Sequence, residues 1–162
     1  MDIIGKEISL LPYTIDRCHE FWQEYVTDYD MLDEDFIYDK EWVNEYYLVK
    51  TLDRTRKIFA ICRNEKTVGE IQLKNINLKD RYATMSIHFS NDSYKNRGWG
   101  TEAQKLLIDY AFRCLKLNTI YADTVLRNKR SQHILEKLGF FQKCEDNSFR
   151  YYELVKQRDI EK

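Results

Sequence analysis

The chain has 162 residues, of which 43% are hydrophobic and 33% are charged, and its formal net charge is −1 at pH 7. A chain of this length can bury a core as a single domain, 1–162, and the near-neutral charge argues against a strongly basic nucleic-acid binder. No apolar stretch reaches membrane-spanning length and no signal peptide is apparent, so we expect a cytoplasmic protein with neither nucleic acid nor membrane as a partner.

The four cysteines give no sign of a metal site or a disulfide framework, because no two of them have C-x-x-C spacing. Three of them lie within apolar patterns. We therefore predict reduced core residues and no bound metal. The four are Cys18, Cys62, Cys114 and Cys144.

The first third of the chain predicts one strand and two helices. Residues 3–11 are apolar enough for a strand, and either Thr14 or Asp16 can cap the helix that follows. The acidic, aromatic segment 27–40 is predicted as a loop or short helix. A second helix is expected over 40–51, with four residues facing inward: Trp42, Val43, Tyr46 and Val49.

The rest of the chain alternates strands with two further helices, and it ends in a charged tail, 157–162. The further strands are predicted at 57–63, 67–74, 82–90, 118–126, 140–144 and 149–155. Helices are predicted after residue 100 and after residue 128. This order of elements predicts a mixed α/β sheet.

A glycine-rich turn directly before a helix is the strongest local feature of the chain. The turn consists of Lys95, Asn96, Arg97, Gly98, Trp99, Gly100 and Thr101. Unpaired backbone N–H groups and the positive end of the helix dipole suit such a turn to a phosphate or pyrophosphate. A tight turn that merely caps the helix is the alternative reading of these residues alone. The spacing does not match a dinucleotide fingerprint or a nucleoside triphosphate loop.

A second motif follows the predicted strand 118–126. Asn128 and Ser131 form N-x-x-S, and a short helix then ends in E-K-L-G-F at Gly139 and Phe140. The glycine turn, helix, strand, N-x-x-S and E-K-L-G-F together resemble the GNAT superfamily of acetyl-CoA-dependent N-acetyltransferases. The resemblance is closest to the branch of ribosomal-protein N-terminal acetyltransferases. The core motif of the family begins with Gln or Arg, and Lys95 stands at that position here.

The resemblance implies a GNAT-like α/β fold with a mixed, mostly antiparallel central sheet, splayed between its fourth and fifth strands and covered by helices on both faces. Acetyl-CoA would be the co-substrate, with its pyrophosphate on the glycine turn and its pantetheine arm in the splay. A backbone N–H near His88 or Phe89 would polarise the thioester carbonyl. The implied cofactor-binding residues are Phe89, Lys95, Asn96, Arg97, Gly98, Trp99, Gly100, Thr101, Asn128 and Ser131.

The resemblance also indicates three candidate catalytic residues. Many relatives carry a Tyr near the leaving thiolate, but Leu135 occupies that position here, and the ribosomal-protein branch offers Ser131 as the donor instead. Glu70 on the third predicted strand and His88 on the fourth are the candidate bases, with an ordered water chain as an alternative. Plain structural roles stay open for all three: a helix cap for Ser131, a structural histidine for His88 and a solvated strand residue for Glu70.

The charges are unevenly distributed along the chain. Residues 16–45 hold eleven Asp or Glu against two basic residues, a net of −9, and the remaining chain has a net of +8. In the fold that the resemblance implies, this segment borders the acceptor site. It also carries six aromatic residues that could form a rim: Trp22, Tyr25, Tyr29, Phe36, Tyr38 and Trp42.

We therefore expect N-acetylation of a small-molecule or peptide primary amine that is positively charged, such as a basic peptide N-terminus, a polyamine or an aminoglycoside-like molecule. Solvated helix faces explain the same acidic residues without a ligand. The alternative function is a non-catalytic module that binds coenzyme A or a basic partner. The 14% aromatic content also allows for a homodimer surface.

Overall fold

An eight-stranded sheet forms the centre of the molecule, and the computed structural model describes residues 1–29 and 34–158. The strands are β1 (Ile3–Ile4), β2 (Ser9–Pro12), β3 (Lys57–Arg63), β4 (Lys66–Asn77), β5 (Tyr82–Phe89), β6 (Thr119–Val125), β7 (Phe141–Glu145) and β8 (Phe149–Val155). They lie in the order β1-β2-β3-β4-β5-β6-β8-β7. Every neighbouring pair is antiparallel except β5 and β6, which are parallel.

The helices in the described part of the chain are α1 (Ile15–Gln23), α2 (Lys40–Leu52), α3 (Trp99–Arg113) and α4 (Lys129–Lys137). Polar side chains cap three of them at the N-terminus. Thr14 accepts a hydrogen bond from the backbone N–H of Arg17, Asp39 caps α2, and Asn128 caps α4. A single 3₁₀ turn, Asp92–Tyr94, precedes the glycine turn.

The sheet separates two apolar cores. Because side chains alternate between the two faces of a strand, the strand residues divide between these cores. On one face, Ile71 belongs to the same buried cluster as Leu107 of α3. On the other face, Phe21 of α1 and Val43 of α2 cluster with Ile58 of β3. Helices therefore lie on both faces of the sheet, as predicted.

The parallel pair of strands is joined over only part of its length. β5 and β6 pair at three positions, Tyr82 with Thr119, Ala83 with Ile120 and Thr84 with Tyr121. Beyond these pairs the strands part, and residues 85–88 and 122–125 line the opening between them. The splay predicted between the strands 82–90 and 118–126, the fourth and fifth strands of the sequence prediction, is therefore confirmed between β5 and β6.

The predicted first strand, 3–11, is wrong as a continuous element. The chain instead forms β1 and β2, which pair with each other in antiparallel orientation. A Cβ atom at Gly5 would lie 2.3 Å from the carbonyl oxygen of Ile8. The tight reversal between the two strands therefore depends on glycine at this position.

Helix α2 is less buried than its apolar residues predict. Val43 is fully buried, but Val49 is 66% exposed and Trp42 is 41% exposed. The inward orientation is therefore wrong for Val49 and only partly correct for Trp42. Only a narrow face of α2 packs on α1 and the sheet, so apolar residues outside that face meet solvent.

The prediction of core positions holds for two of the four cysteines. Cys18 and Cys62 are buried, whereas Cys114 and Cys144 are exposed, and all four are free thiols. Cys114 is the C-cap residue of α3, and Cys144 lies on the outermost strand, β7. Neither position is covered by a second layer, so the prediction is wrong for both.

Strand β7 forms one edge of the sheet, and all five of its residues are exposed. Its pairing with β8 shifts register between Gln142 and Cys144. Lys143, which lies in this irregularity, forms an ion pair of 3.2 Å with Glu153 of β8. The edge is therefore bulged and charged rather than flat and apolar.

Within residues 1–29 and 34–158, no helix is long and apolar enough to cross a membrane, and no group of three or more His, Cys, Asp or Glu side chains could hold a metal ion. Asp30 and Asp33 of the predicted acidic segment lie outside the described residues. Most of the predicted charged tail, 157–162, does so as well.

Candidate functional site

A continuous cleft runs through the opening between β5 and β6 and past the N-terminal ends of α3 and α4. Its outer part has a volume of about 270 Å³ and includes the glycine turn. Its inner part, about 180 Å³, lies between residues 85–88 and 122–125. Four residues line both parts: Ile87, Gln104, Asn128 and Ser131.

The N-terminus of α3 is open to the outer part of the cleft. Gly98 is the N-cap residue, its φ of +81° lies in the left-handed region, and no side chain caps the helix. A Cβ atom at Gly98 would meet no other atom of the described residues within 4 Å, so these residues leave the space beside the first turn open. Uncapped N–H groups and the helix dipole favour an anion at this point. The geometry fits a phosphate or pyrophosphate group.

Most of the predicted cofactor-binding residues line this outer part. They are Phe89, Lys95, Asn96, Gly98, Gly100, Thr101, Asn128 and Ser131. The side chains of the other two predicted residues, Arg97 and Trp99, do not line the cleft. Trp99 packs in the core, and the Arg97 guanidinium lies 5.3 Å from the centre of its indole ring while Nε donates to the carbonyl of Ser93. These two side chains therefore stabilise the turn, which leaves their backbone N–H groups for an anion.

Lys95 is held by carboxylates on both sides of the turn. Its ammonium group lies 2.8 Å from a carboxylate oxygen of Asp92 and also donates to the carboxylate of Asp28. The side chain of Lys95 is only 10% exposed. An anion in the cleft would therefore meet a lysine whose charge is already balanced.

Glu24 ties the acidic early segment to the glycine turn. Its carboxylate accepts a hydrogen bond of 2.7 Å from the Tyr94 hydroxyl and forms an ion pair of 2.8 Å with Lys66. The hydrogen bonds from Lys66 and Tyr94 hold the pKa of Glu24 below its ordinary value of 4.5. Part of the acidic charge thus braces the cleft.

Asn128 and Ser131 meet at the N-terminus of α4. The Asn128 side-chain oxygen accepts the backbone N–H of Ser131 at 3.1 Å, and Asn128 is buried. The Ser131 hydroxyl has no hydrogen-bond partner in the described part of the chain. Leu135, one turn further along α4, lines the inner part of the cleft. Ser131 can therefore donate to a group bound in the cleft.

Sequence analysis does not identify Gln104, which lines both parts of the cleft. This side chain is 4% exposed, and its amide donates to the carbonyl of Gly100 at 3.1 Å. Its position in the sequence is the feature that could have indicated this role, because Gln104 follows Ala103 on the inward face of α3, one turn after Gly100. A buried amide at that place supports the start of the helix.

The backbone of β5 presents N–H groups to the opening. The N–H of Ser90 donates to the carbonyl of Val68 at 3.0 Å, on the side of β4. Because backbone groups point alternately to the two sides of a strand, the N–H of Phe89 points away from β4 and toward the opening. This alternation favours Phe89 over His88 as the residue that supplies the predicted backbone donor.

A buried carboxylate lies on the opposite side of the sheet from α3. Glu70 of β4 is 2% exposed, which rules out the solvated strand position. It accepts a hydrogen bond of 2.6 Å from the Tyr13 hydroxyl and a short one from the Tyr46 hydroxyl. Both tyrosines escape sequence analysis as site residues, because they approach Glu70 from distant parts of the chain.

The environment of Glu70 shifts the ionisation of its neighbours. Burial and the Glu70 carboxylate raise the pKa of both Tyr13 and Tyr46 above the ordinary value of 10.0. Burial also raises the pKa of Cys18, whose Sγ lies 3.1 Å from the Tyr13 hydroxyl oxygen, to about 12. The phenols therefore stay protonated and donate to Glu70 at neutral pH.

His88 connects this carboxylate with the cleft. It lies opposite Glu70 in the β4–β5 pairing, its Nδ1 is 3.9 Å from a Glu70 oxygen, and it lines the inner part of the cleft. Its Nε2 is buried and has no hydrogen-bond partner among residues 1–29 and 34–158. The rings of Phe21, Trp22 and Tyr25 surround it, with centroids 5.5, 5.9 and 5.0 Å away. His88 is thus the ionisable ring that joins Glu70 to the cleft.

Much of the predicted acidic, aromatic rim makes internal contacts. Trp22 and Tyr25 are buried, while Tyr29 is exposed. Five carboxylates of the segment have partners within the chain: Glu20, Glu24, Asp28, Asp35 and Asp39. These side chains hold the fold together, so attraction of a cation by the segment as a whole stays a prediction.

Comparisons with known proteins agree with this architecture. The family model of the acetyltransferase (GNAT) domain matches residues 11–141. The spermidine N(1)-acetyltransferase of Escherichia coli K12 is 36% identical over 89 residues, which cover 54% of this chain and 47% of that protein. The chain thus spans about half the length of the curated relatives that it matches first.

Solved structures of similar fold cover nearly the whole chain. A Vibrio cholerae protein provisionally assigned as a ribosomal-protein-serine acetyltransferase has a TM-score of 0.81 at 17% identity, covering 96% of this chain and 98% of that one. Campylobacter jejuni N-acetyltransferase PseH, in complex with acetyl coenzyme A, has a TM-score of 0.64 at 23% identity, covering 72% and 79%. At these identities the likeness concerns the fold.

Proposed function

We propose that this chain, which belongs to the GNAT family of acetyltransferases, transfers an acetyl group from acetyl-CoA to the primary amine of a cationic acceptor. The observation that carries the proposal is the cleft, whose outer and inner parts share four lining residues. It begins at the uncapped N-terminus of α3, passes Ser131 and ends beside His88. Acetyl-CoA that enters from one face of the sheet can thus meet the acceptor amine that enters from the other face.

The residues of the outer cleft fit the phosphates of acetyl-CoA. The backbone N–H groups from Gly98 to Thr101 would hold the pyrophosphate, because no side chain makes a capping hydrogen bond at the N-terminus of α3. When bound, acetyl-CoA supplies an acyl thioester, which is the activated acetyl group. The chain itself contributes orientation and hydrogen-bond donors.

Two hydrogen-bond donors of the chain are suited to the two atoms on which charge changes in the acyl transfer, the carbonyl oxygen and the leaving sulfur. The backbone N–H of Phe89, which points into the opening, is suited to the oxygen on which negative charge develops. The Ser131 hydroxyl, which lacks a partner in the described residues, is suited to donate a hydrogen bond to the leaving thiolate. Leu135 cannot do so, because its side chain has no proton to give.

His88 is suited to take the proton of the incoming amine. It reaches the cleft, whereas the Glu70 carboxylate is enclosed by Tyr13 and Tyr46. The Nδ1 of His88 lies 3.9 Å from an oxygen of Glu70, so this carboxylate stands directly behind the ring. We therefore assign the base to His88 and a supporting role to Glu70.

The acceptor proposal draws on chemistry around His88. Aromatic rings attract cations, and the cluster of Trp22, Tyr25, Trp42 and Tyr46 lies on this side of the sheet. The E. coli relative is a spermidine N(1)-acetyltransferase, which also favours a polyamine-like acceptor over a peptide N-terminus.

An isosteric pair of variants at Gly98 tests the donor site. Asn and Asp both tolerate left-handed dihedrals, and a side chain at this position meets open space, so Gly98→Asn and Gly98→Asp differ mainly in charge. We expect the Asp variant to bind coenzyme A at least tenfold more weakly than the Asn variant in calorimetric titration. Thiol release from acetyl-CoA with a panel of mono- and diamines then tests the transfer.

Equal affinity of the two variants would contradict an anion site at α3. A non-catalytic coenzyme A-binding module is the second candidate function, and Leu135 in place of a phenol beside the cleft is the observation that favours it. Tight coenzyme A binding without thiol release from any amine would support that candidate and overturn the proposed transfer.

A further inference from the structure

Asp123 of β6 borders the cleft on the same side of the sheet as His88. Thr84 and Tyr121 are the last paired residues of β5 and β6, and they share a face. Two residues further along, Ser86 and Asp123 stand on that same face, on opposite sides of the opening, and both line the cleft. His88 follows two residues after Ser86, about 7 Å along the strand.

The carboxylate of Asp123 is free in the described part of the chain. No hydrogen bond or ion pair joins its side chain to another described residue, and it is exposed. This sets it apart from Glu70, which two tyrosines enclose, and from Asp28, which Lys95 engages. It is therefore an available negative charge at the mouth of the inner cleft.

Two aromatic residues of β8 flank this carboxylate. Tyr151 is the direct cross-strand partner of Asp123, and Phe149 is the partner of Val125 on the same face. The two rings are 6.3 Å apart, Phe149 lines the cleft, and 37% of its surface is exposed. A carboxylate beside exposed aromatic faces is a combination that binds organic ammonium groups.

We propose that Asp123, with Phe149 and Tyr151, binds a second positive charge on the acceptor while the amine to be acetylated lies at His88. This inference rests on the proposed acetyl transfer and narrows its substrate class to amines that carry two cationic groups. The spacing along the strand suits amines joined by a short alkyl chain. The acidic segment 16–45 is not needed for this contact.

The test compares acceptors with one and two charges. For wild type, Asp123→Asn and Asp2→Asn, kcat/KM for thiol release is measured with a series of linear α,ω-diamines and with monoamines of equal chain length. Asp2→Asn makes the same charge change just before β1, at the other end of the sheet order. We expect Asp123→Asn to lower the ratio of diamine to monoamine kcat/KM about fivefold or more.

We expect Asp2→Asn to keep the wild-type ratio. Added salt is expected to weaken diamine use by wild type more than by Asp123→Asn, because the ion pair is partly exposed. A ratio that Asp123→Asn leaves unchanged, with wild type active on diamines, would overturn the role of Asp123 alone. Absence of thiol release with every amine would overturn the proposed transfer and this inference with it. Unfolding midpoints of the three proteins control for loss of structure.

Discussion

At the scale of single residues, Ser131 and His88 lie at different positions along the cleft. Ser131 lies at the N-terminus of α4, where its own backbone N–H is fixed by Asn128 and its hydroxyl stays available. His88 lies on the aromatic side, where its Nε2 has no hydrogen-bond partner among the residues that the structure describes and a carboxylate lies behind its Nδ1. Their positions suit them to different ends of the reaction, the leaving sulfur and the incoming ammonium.

These roles predict different kinetic defects. Ser131→Ala is expected to lower kcat by about 10²-fold or more while the shape of its pH profile stays the same, because only a hydrogen-bond donor to the leaving thiolate is lost. His88→Gln is expected to lower kcat/KM by a similar factor, because the group that takes the proton of the amine is lost. Thiol release measured across the pH range, with a saturating diamine for kcat, checks both.

The control is Ser131→Thr, which keeps a hydroxyl at the same backbone position and should retain more activity than Ser131→Ala. Calorimetric titration with coenzyme A shows whether each variant still binds the donor. Equal kcat for Ser131→Ala and wild type, or an unchanged kcat/KM for His88→Gln, would contradict the corresponding assignment.

At the scale of elements, α3 joins the cleft to the far edge of the sheet. Glu102 in its first turn accepts backbone N–H bonds from Lys6 at 2.6 Å, Glu7 at 3.0 Å and Ile8 at 3.0 Å. One carboxylate thereby closes the turn between β1 and β2. The negative charge also complements the positive end of the helix dipole.

Removing this carboxylate should therefore destabilise the protein. We expect Glu102→Ala to lower the free energy of unfolding by about 2 kcal/mol, since hydrogen bonds to a charged acceptor are lost and backbone donors are left unpaired. Urea denaturation followed by circular dichroism measures the change. Glu102→Gln keeps one acceptor oxygen and should lose less; a larger loss for Gln than for Ala would contradict the explanation.

Which elements could be predicted depends on how local their causes are. The glycine turn and the helix caps follow from adjacent residues, so the start of α3 and the place of Asn128 could be read directly. The Glu70 environment could not, because Tyr13 and Tyr46 lie 57 and 24 positions away in sequence, and only the packing of α1 and α2 on the sheet brings them together. The splay between β5 and β6 is predicted only by the family resemblance, because no local pattern in the sequence indicates it.

At the scale of the whole molecule, the buried phenols make the fold sensitive to alkaline pH. The pKa values of Tyr13 and Tyr46 are raised in the folded protein, whereas in the unfolded chain they return to about 10. Above that pH the unfolded chain releases protons that the folded protein retains. The stabilisation is therefore fully present below pH 10 and is lost as pH rises further.

We expect the free energy of unfolding to fall by up to about 2.7 kcal/mol per pH unit above pH 10, with about half of the slope from each of the two tyrosines. Denaturant titrations at a series of alkaline pH values measure the slope, and Tyr13→Phe should reduce it. Ultraviolet absorbance reports phenolate formation. Titration of these phenols before the protein unfolds would contradict the explanation.

The irregular outer strand β7 has a consequence for how copies of the chain can associate. A second sheet joining edge to edge would need an unbroken row of backbone donors and acceptors, but the register shift between Gln142 and Cys144 interrupts that row. The exposed charged residues Lys143 and Glu145 would also have to lose water at such a junction. Strand β7 therefore ends the sheet within one molecule and disfavours the edge-to-edge pairing of sheets that produces fibres.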